Sequence, residues 1–324
     1  MFDELSITYT LQSYASLVPF MRVITFLGQE EFYILFIPAI YFLVSRKLGM
    51  RMLMLLLFTF GLNAFLKLVI HSPRPYWVDP RVQAYATELT YGMPSGHAQV
   101  VASFAVLLAS QYRRSWVVGL GVLIAFLVGV SRVFLGVHFV SDVLVGWLLG
   151  VIVGATFIVF APRAEAWLLR SRLNAALGIG TAIVFAIVSV GLLAQATLTP
   201  TTVSQSWGQF NAEARRISDL VTIAGLLAGS VIAYGKVRQA IFIDEKPDLV
   251  SSTPRVSYLP LPPHSTPRTR WLRFAVALIG GVVLWLGLRA IFPRDPEWLG
   301  IVLRLIRYAL VVMWMLWLTP KWVK

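Results

Sequence analysis

Apolar residues dominate this chain in long unbroken runs, not at the alternating or three-to-four spacing of a half-buried strand or surface helix. Nine runs stand out, near 32–45, 48–70, 94–112, 115–135, 138–161, 173–195, 217–235, 272–292 and 301–319. All but the short first one approach the roughly 20 residues that a helix needs to cross the hydrocarbon core of a bilayer. Backbone polar groups in hydrocarbon have no water to bond, so such runs must be helices. The pattern therefore predicts an all-α fold, a polytopic transmembrane helix bundle of about nine spans. Residues 5–27 mix Gln12, Ser13, Ser16 and Arg22 with apolar residues at helical spacing, which predicts a helix lying in the interface. No charged segment followed by a small-residue cleavage site opens the sequence, so no removable signal peptide is expected.

The one long polar stretch, 236–270, contains six prolines with scattered Ser and Thr and no hydrophobic period. It is expected to be a flexible cytosolic linker; its LPLPP run leaves a proline-docking role open. The expected organisation is an N-terminal interfacial helix over 1–31, a catalytic transmembrane core over 32–165, and accessory C-terminal helices over 166–324 that include the linker.

Composition narrows the class. Of the 324 residues, 58% are hydrophobic and only 13% charged, and the mean hydropathy is +0.75, which no water-soluble surface accommodates. The chain has no cysteine, which removes disulfides, thiolate nucleophiles and Cys-type zinc sites. The net charge of +13 suits a nucleic-acid binder, but topology accounts for it better. With the first span running inward, the inside connections hold 17 of the 28 basic residues, so the N-terminus is expected outside and the C-terminus inside. Arg215, Arg216, Arg304 and Arg307 run against that bias.

Charges within or beside apolar runs form three clusters. Lys67 lies one turn before the end of the span 48–70, and Arg74 follows between Pro73 and Pro75, which end the helix and hold Arg74 extended. Snorkelling to the interface is the competing explanation for Lys67. Pro94-Ser95-Gly96-His97 immediately precedes the run from Ala98; Ser95 is a candidate helix N-cap, and the free N–H groups there suit an anion. An ordinary proline-started cap is the alternative. Ser131-Arg132 and, six residues on, His138 with Asp142 form the third. The i, i+4 spacing puts His138 and Asp142 on one helix face, where the carboxylate can hold one ring nitrogen and leave the other free; a helix-joining pair is the alternative. Because spans alternate in direction, the end of 48–70, the start of 94–112, the end of 115–135 and the start of 138–161 share one side. Three cations, a helix N-terminus and two histidines, one backed by a carboxylate, suit phosphoryl transfer.

K-x6-R-P at 67–75, PSGH at 94–97 and S-R-x5-H-x3-D at 131–142 together resemble the three-part signature of the type 2 phosphatidic acid phosphatase superfamily. All eleven specified positions are present in order, separated by 18 and 33 residues, over about residues 48–161. The segment 24–38 is similar to the sphingosine-phosphate phosphatase and dolichyl-diphosphatase-like branch. The resemblance implies that His138 attacks phosphorus and forms a phosphohistidine, that Asp142 holds its tautomer, and that His97 protonates the leaving oxygen and then activates water. It implies that Lys67, Arg74 and Arg132, with Ser95 and the Gly96 N–H, hold the phosphoryl oxygens, with no metal and no other cofactor.

The expected function is hydrolysis of a lipid phosphate or diphosphate at the non-cytoplasmic face of a membrane, the cell membrane if the source is bacterial. A phosphotransferase using the same phosphohistidine is the alternative, and an inactive scaffold or transporter a further one. The partners expected are the lipid substrate and the bilayer, without nucleic acid; the accessory spans leave room for a homo-oligomer contact. The aromatic residues of 76–93 are expected in the interfacial belt, the Glu213–Arg216 charges on a solvated surface, and His71 and His264 as bystanders.

Overall fold

The computed structural model describes residues 4–197, 207–242, 266–293 and 297–319, and among them every regular element is a helix. The 243–265 part of the expected linker lies outside the described residues, whereas its flanks, 236–242 and 267–270, are not linker but the helical ends of Ser218–Phe242 and Pro267–Ile291. Among the described residues, seven helices are long and apolar enough to cross a membrane, and eight if the bent pair Ala15–Phe26 and Glu30–Val44, which meet at 44°, forms one span. The count is close to the nine expected. The difference falls at the first run, which is half of that bent pair, and at 94–112, whose helix α6 (Gly96–Tyr112) has 17 residues. At about 1.5 Å per residue it reaches some 26 Å, a little under the hydrocarbon thickness.

The chain divides into two compact units built from non-adjacent stretches. The first comprises residues 1–32, 58–160 and 189–219 and holds all the motif residues. It contains α1 (Glu4–Gln12), α2 (Val18–Phe26), the start of α3 (Glu30–Ala39), the later part of α4 (Arg46–Ile70), short α5 (Pro75–Val78), α6, α7 (Ser115–Phe134), most of α8 (Val140–Arg170), the end of α9 (Leu173–Thr197) and α10 (Gly208–Ala214).

Three glycines on α8 set the spacing of this unit. Gly146, Gly150 and Gly154 recur every fourth residue and face the α6 backbone, where a Cβ at Gly146 would lie 2.7 Å from the Ser95 carbonyl oxygen and one at Gly154 3.0 Å from that of Ser103. Small residues at this spacing let two membrane helices approach closely. The Asp142 carbonyl, one turn before Gly146, accepts from the Ser95 N–H at 3.0 Å, which ties the second motif to the third. The indole of Trp147 donates to the Ala125 carbonyl at 3.1 Å, fastening α8 to α7.

The expected interfacial segment is two helices, α1 and α2, joined by a short 3-10 turn. Leu17, Phe20, Val23 and Phe26 expose one apolar face, while the other side bonds into the unit: Glu4 accepts from the Ser141 N–H at 3.0 Å, and Gln12 donates to the Phe134 carbonyl at 3.0 Å.

The second unit comprises 33–57, 161–188 and 220–324. Its described helices include α11 (Ser218–Phe242, all but its first two residues), α12 (Pro267–Ile291) and α13 (Glu297–Met313, with a π-helical end at Trp314–Leu318). Tyr41, Phe42, Met50, Ala233, Ala277, Val312 and Leu316 form its core. Thr266 caps α12, accepting from the Thr269 N–H at 3.2 Å, with Pro267 at the first helical position. Arg51 and Glu165 form a two-pronged pair at 2.7 and 2.8 Å. Arg307 is buried, its guanidinium 5.0 Å from the Tyr308 ring centre.

Candidate active site

The α4 helix stops at Ile70, and His71 takes a left-handed φ of 53° before Ser72 and Pro73. Arg74 is extended, as Pro75 requires. Lys67 and Arg74, seven residues apart, meet on one side chain: the Thr90 hydroxyl accepts from Lys67 Nζ at 2.9 Å and from Arg74 Nη2 at 3.2 Å. Arg74 is fully buried and spends its remaining donors on the Thr90 carbonyl (Nε, 2.7 Å), the Tyr91 carbonyl (Nη2, 3.1 Å) and the Val137 carbonyl (Nη1, 2.8 Å). Lys67 therefore does not snorkel; it is buried against the loop that follows its own helix.

Arg74 Nη1 also lies 3.2 Å from His138 Nε2, and His138 Nδ1 lies 3.2 Å from Asp142 Oδ2. A guanidinium has donors only. Nε2 must therefore present its lone pair, which puts the ring proton on Nδ1, where Asp142 accepts it. His138 sits in the turn between α7 and α8, and burial, then the charges of Arg74, Arg132 and Lys67, hold its pKa well below the usual imidazole value. The imidazole is neutral, with a lone pair directed at a buried cation. Asp142 Oδ2 accepts a second bond from the Phe139 N–H at 3.0 Å, fixing the carboxylate from the backbone side.

Arg132 reaches the same cluster from the end of α7. Its Nη1 donates to Thr25 Oγ1 at 2.9 Å and its Nη2 pairs with the Glu88 carboxylate. Ser95 occupies the N-cap position of α6, yet its hydroxyl makes no capping bond, which corrects the expected role. Asn63 supports this loop instead, its Nδ2 donating to the Pro94 carbonyl at 3.0 Å and to Gln99 Oε1 at 2.8 Å.

Four buried polar atoms of the cluster have no partner: Ser95 Oγ, His97 Nε2, Arg132 Nε and Asp142 Oδ1. Buried polar atoms are rarely left unpaired, and four in one cluster mark where a polar ligand fits. Arg132 Nε is a donor, and Ser95 Oγ and His97 Nε2 can donate as well, which suits an oxyanion.

Several contributors were not legible as motifs. Gly28 packs on His97, and a Cβ there would lie 2.8 Å from the His97 Cβ and Cδ2. Gly28→Ala is expected to displace His97 together with the start of α6, because the clash reaches its Cβ, and to lower both kcat, by roughly 10- to 100-fold, and the melting temperature; steady-state kinetics alongside a thermal melt checks it. Thr25 and Gly28 lie in the 24–38 segment whose family likeness was the one available signal. Asn63 and Gln99 are neutral polar residues inside spans, less conspicuous than the charges.

Glu88, Thr90 and Tyr91 of the loop 76–93 bond the cations of the cluster, and its aromatics Trp77 and Tyr91 are not in the expected lipid belt. Trp77 and Tyr91 are buried. The Trp77 ring stacks on Phe210 of α10 at 4.8 Å and on Trp207 at 6.4 Å, and the Tyr91 hydroxyl donates to Asn211 Oδ1. Packing against α10 has replaced lipid as their surroundings. The Asp79 carboxylate is engaged by Arg81 and by the Tyr9 hydroxyl at 2.5 Å, and these bonds hold it well below the usual carboxylate range. His71 stands edge-on to Tyr91 at 5.0 Å. Arg216 and Glu213 form an exposed pair at 3.1 Å, whereas Arg215 reaches the Gln195 carbonyl at 2.5 Å.

Fold and cluster together define a multi-pass integral membrane protein with a histidine and cation site where its helices end. Comparison with known proteins names the family. The PAP2 superfamily model matches residues 48–166, and the model of the PAP2 superfamily phosphatase transmembrane extension matches 221–323, together more than half of the chain. The chain belongs to the PAP2 superfamily. It is 37% identical over 108 residues to an undecaprenyl-diphosphatase of Sulfolobus acidocaldarius, covering 33% of this chain and 52% of that one. It is 31% identical over 157 residues to the sphingosine-1-phosphate phosphatase 2 of Mus musculus, covering 46% and 42% respectively. A crystal structure of a PAP2-type phosphatidylglycerolphosphate phosphatase from Bacillus subtilis aligns with a TM-score of 0.43 at 30% identity, over 49% of this chain and 85% of that one. The chain spans about half or less of the length of these two curated relatives.

Proposed function

We propose that this protein is a membrane phosphatase that hydrolyses a phosphomonoester or diphosphate on a lipid headgroup through a phosphohistidine on His138. The observation that carries the proposal is the position of the His138 Nε2 lone pair, directed at Arg74 Nη1 and backed through Nδ1 by Asp142. A phosphoryl oxygen bound by Arg74 brings phosphorus within reach of that nitrogen. The Nε2–P bond forms as the P–O bond to the lipid breaks, and His97 gives its proton to the departing oxygen. Water then attacks phosphorus, His97 takes a proton from it, and the N–P bond breaks to release inorganic phosphate. Lys67, Arg74, Arg132, the Ser95 hydroxyl and the Gly96 N–H bind the phosphoryl oxygens and offset the developing charge.

A lipid substrate is supported by where the cluster lies, at the ends of membrane helices, and by what these two curated relatives are named for acting on. The distribution of basic residues supports a non-cytoplasmic site, in the cell membrane for a bacterial source. The test is phosphate release from a panel of lipid monophosphates, lipid diphosphates and a water-soluble phosphomonoester, in excess EDTA. Lipid substrates are expected to be preferred and release to survive chelation. Loss of activity with EDTA contradicts the metal-free reaction, and phosphate appearing only on an added acceptor identifies a phosphotransferase.

A further inference from the structure

The three cations assigned above to the phosphoryl group are all engaged by one short strap of chain. Glu88 pairs with Arg132, the Thr90 hydroxyl takes Lys67 and Arg74, and the Thr90 and Tyr91 carbonyls take Arg74 again. The strap is itself clamped: the Tyr76 hydroxyl donates to the Glu88 carbonyl at 2.9 Å and accepts from the Glu88 N–H at 3.2 Å. Among these acceptors only the Glu88 carboxylate carries charge. Burial works against that charge, but Arg132, Arg74, His97 and Lys67 outweigh it and hold the carboxyl below its usual range, so Glu88 is ionised at neutral pH.

The two partners of this ion pair are held unequally. Arg132 has 1% of its side chain exposed and is anchored through Nη1 to Thr25; Glu88 keeps 28% exposure. Glu88 is the partner that can leave. The pairing is also incomplete, because the carboxylate meets Nη2 while the adjacent, buried Nε has no acceptor. The Nε–Nη2 edge of a guanidinium binds two oxygens of an oxyanion side by side, and a phosphoryl group fills both positions.

We propose that Glu88 is a specificity-determining residue that competes with the substrate for Arg132: its carboxylate occupies Nη2 until a phosphoryl group displaces it. This rests on the phosphatase reading of the same site. Displacement favours the more highly charged ligand. A phosphomonoester or the terminal phosphate of a diphosphate carries up to two negative charges and three terminal oxygens, whereas the phosphodiester of an ordinary bilayer lipid carries one charge and two such oxygens. Glu88 thereby keeps the abundant phosphodiesters of the surrounding membrane from occupying the site, at the cost of weaker binding of every anion.

The experiment compares wild type, Glu88→Gln and Glu88→Asp by inhibition of phosphomonoester hydrolysis, using inorganic phosphate, orthovanadate and a phosphatidylglycerol-containing detergent micelle as inhibitors. Glu88→Gln is expected to lower the inhibition constant of inorganic phosphate by about tenfold, the size of one charge-assisted contact freed, and to lower that of phosphatidylglycerol by more. Glu88→Asp keeps the charge on a shorter arm and is expected to stay within about threefold of wild type, which separates charge from packing. Equal or weaker inhibition of Glu88→Gln by both inorganic phosphate and phosphatidylglycerol overturns the proposal and makes Glu88 a positioning residue for Arg132. Wild-type protein that hydrolyses nothing and binds no phosphate in a calorimeter overturns the phosphatase reading itself, and this inference with it.

Discussion

His138→Ala is expected to reduce phosphate release by about 10^4-fold or more, the scale on which removal of a covalent nucleophile is felt. No neighbour can substitute. Asp142 is bonded to the Phe139 backbone, and the cations that surround the ring repel any other cationic base from the same position. Alanine also removes the group that shares Arg74 Nη1 and Asp142 Oδ2, so a loss of about 1–3 kcal/mol in stability is expected alongside. Activity is therefore to be normalised to folded protein by thermal melt. A fall in activity no larger than the fall in folded fraction contradicts the assignment.

Arg74→Lys is expected to cost roughly 10^2- to 10^3-fold in kcat/KM and to lower the melting temperature. Charge is retained, so the loss measures geometry. Arg74 satisfies the Thr90, Tyr91 and Val137 carbonyls and the Thr90 hydroxyl while touching Nε2 of His138, from a position with no exposure. A lysine ammonium has three donors at one point and cannot span those acceptors, so at least one buried carbonyl loses its partner. Steady-state kinetics with calorimetric melting reads both effects; near-wild-type values contradict Arg74 as the hub of the site.

Those two residues were legible in the sequence because charge in an apolar chain is conspicuous. Lys67, Arg74, Arg132, His138 and Asp142 stand out against runs of Leu, Val and Phe, and alternation of the spans brings them to one side. The helices were legible for the same reason, each being a run of membrane length, whereas α6 is short and the first run belongs to a bent pair. What could not be read was long-range pairing. Thr25 meets Arg132 across 107 positions and Tyr91 meets Asn211 across 120. No local period encodes either contact. Trp77 and Tyr91 carry the composition of an interfacial belt, and only the position of α10 shows that they pack against protein. Thr90 escaped notice because a threonine in a polar loop is unremarked until two cations converge on it.

The central claim is a covalent bond between phosphorus and His138. Wild-type protein mixed with a lipid phosphate labelled in its phosphoryl group and quenched within milliseconds is predicted to retain label that is lost in acid and kept in base, as a phosphohistidine behaves, and His138→Ala to retain none. Label of equal yield on His138→Ala, or rapid turnover by wild type with no trapped label at any quench time, would contradict the mechanism.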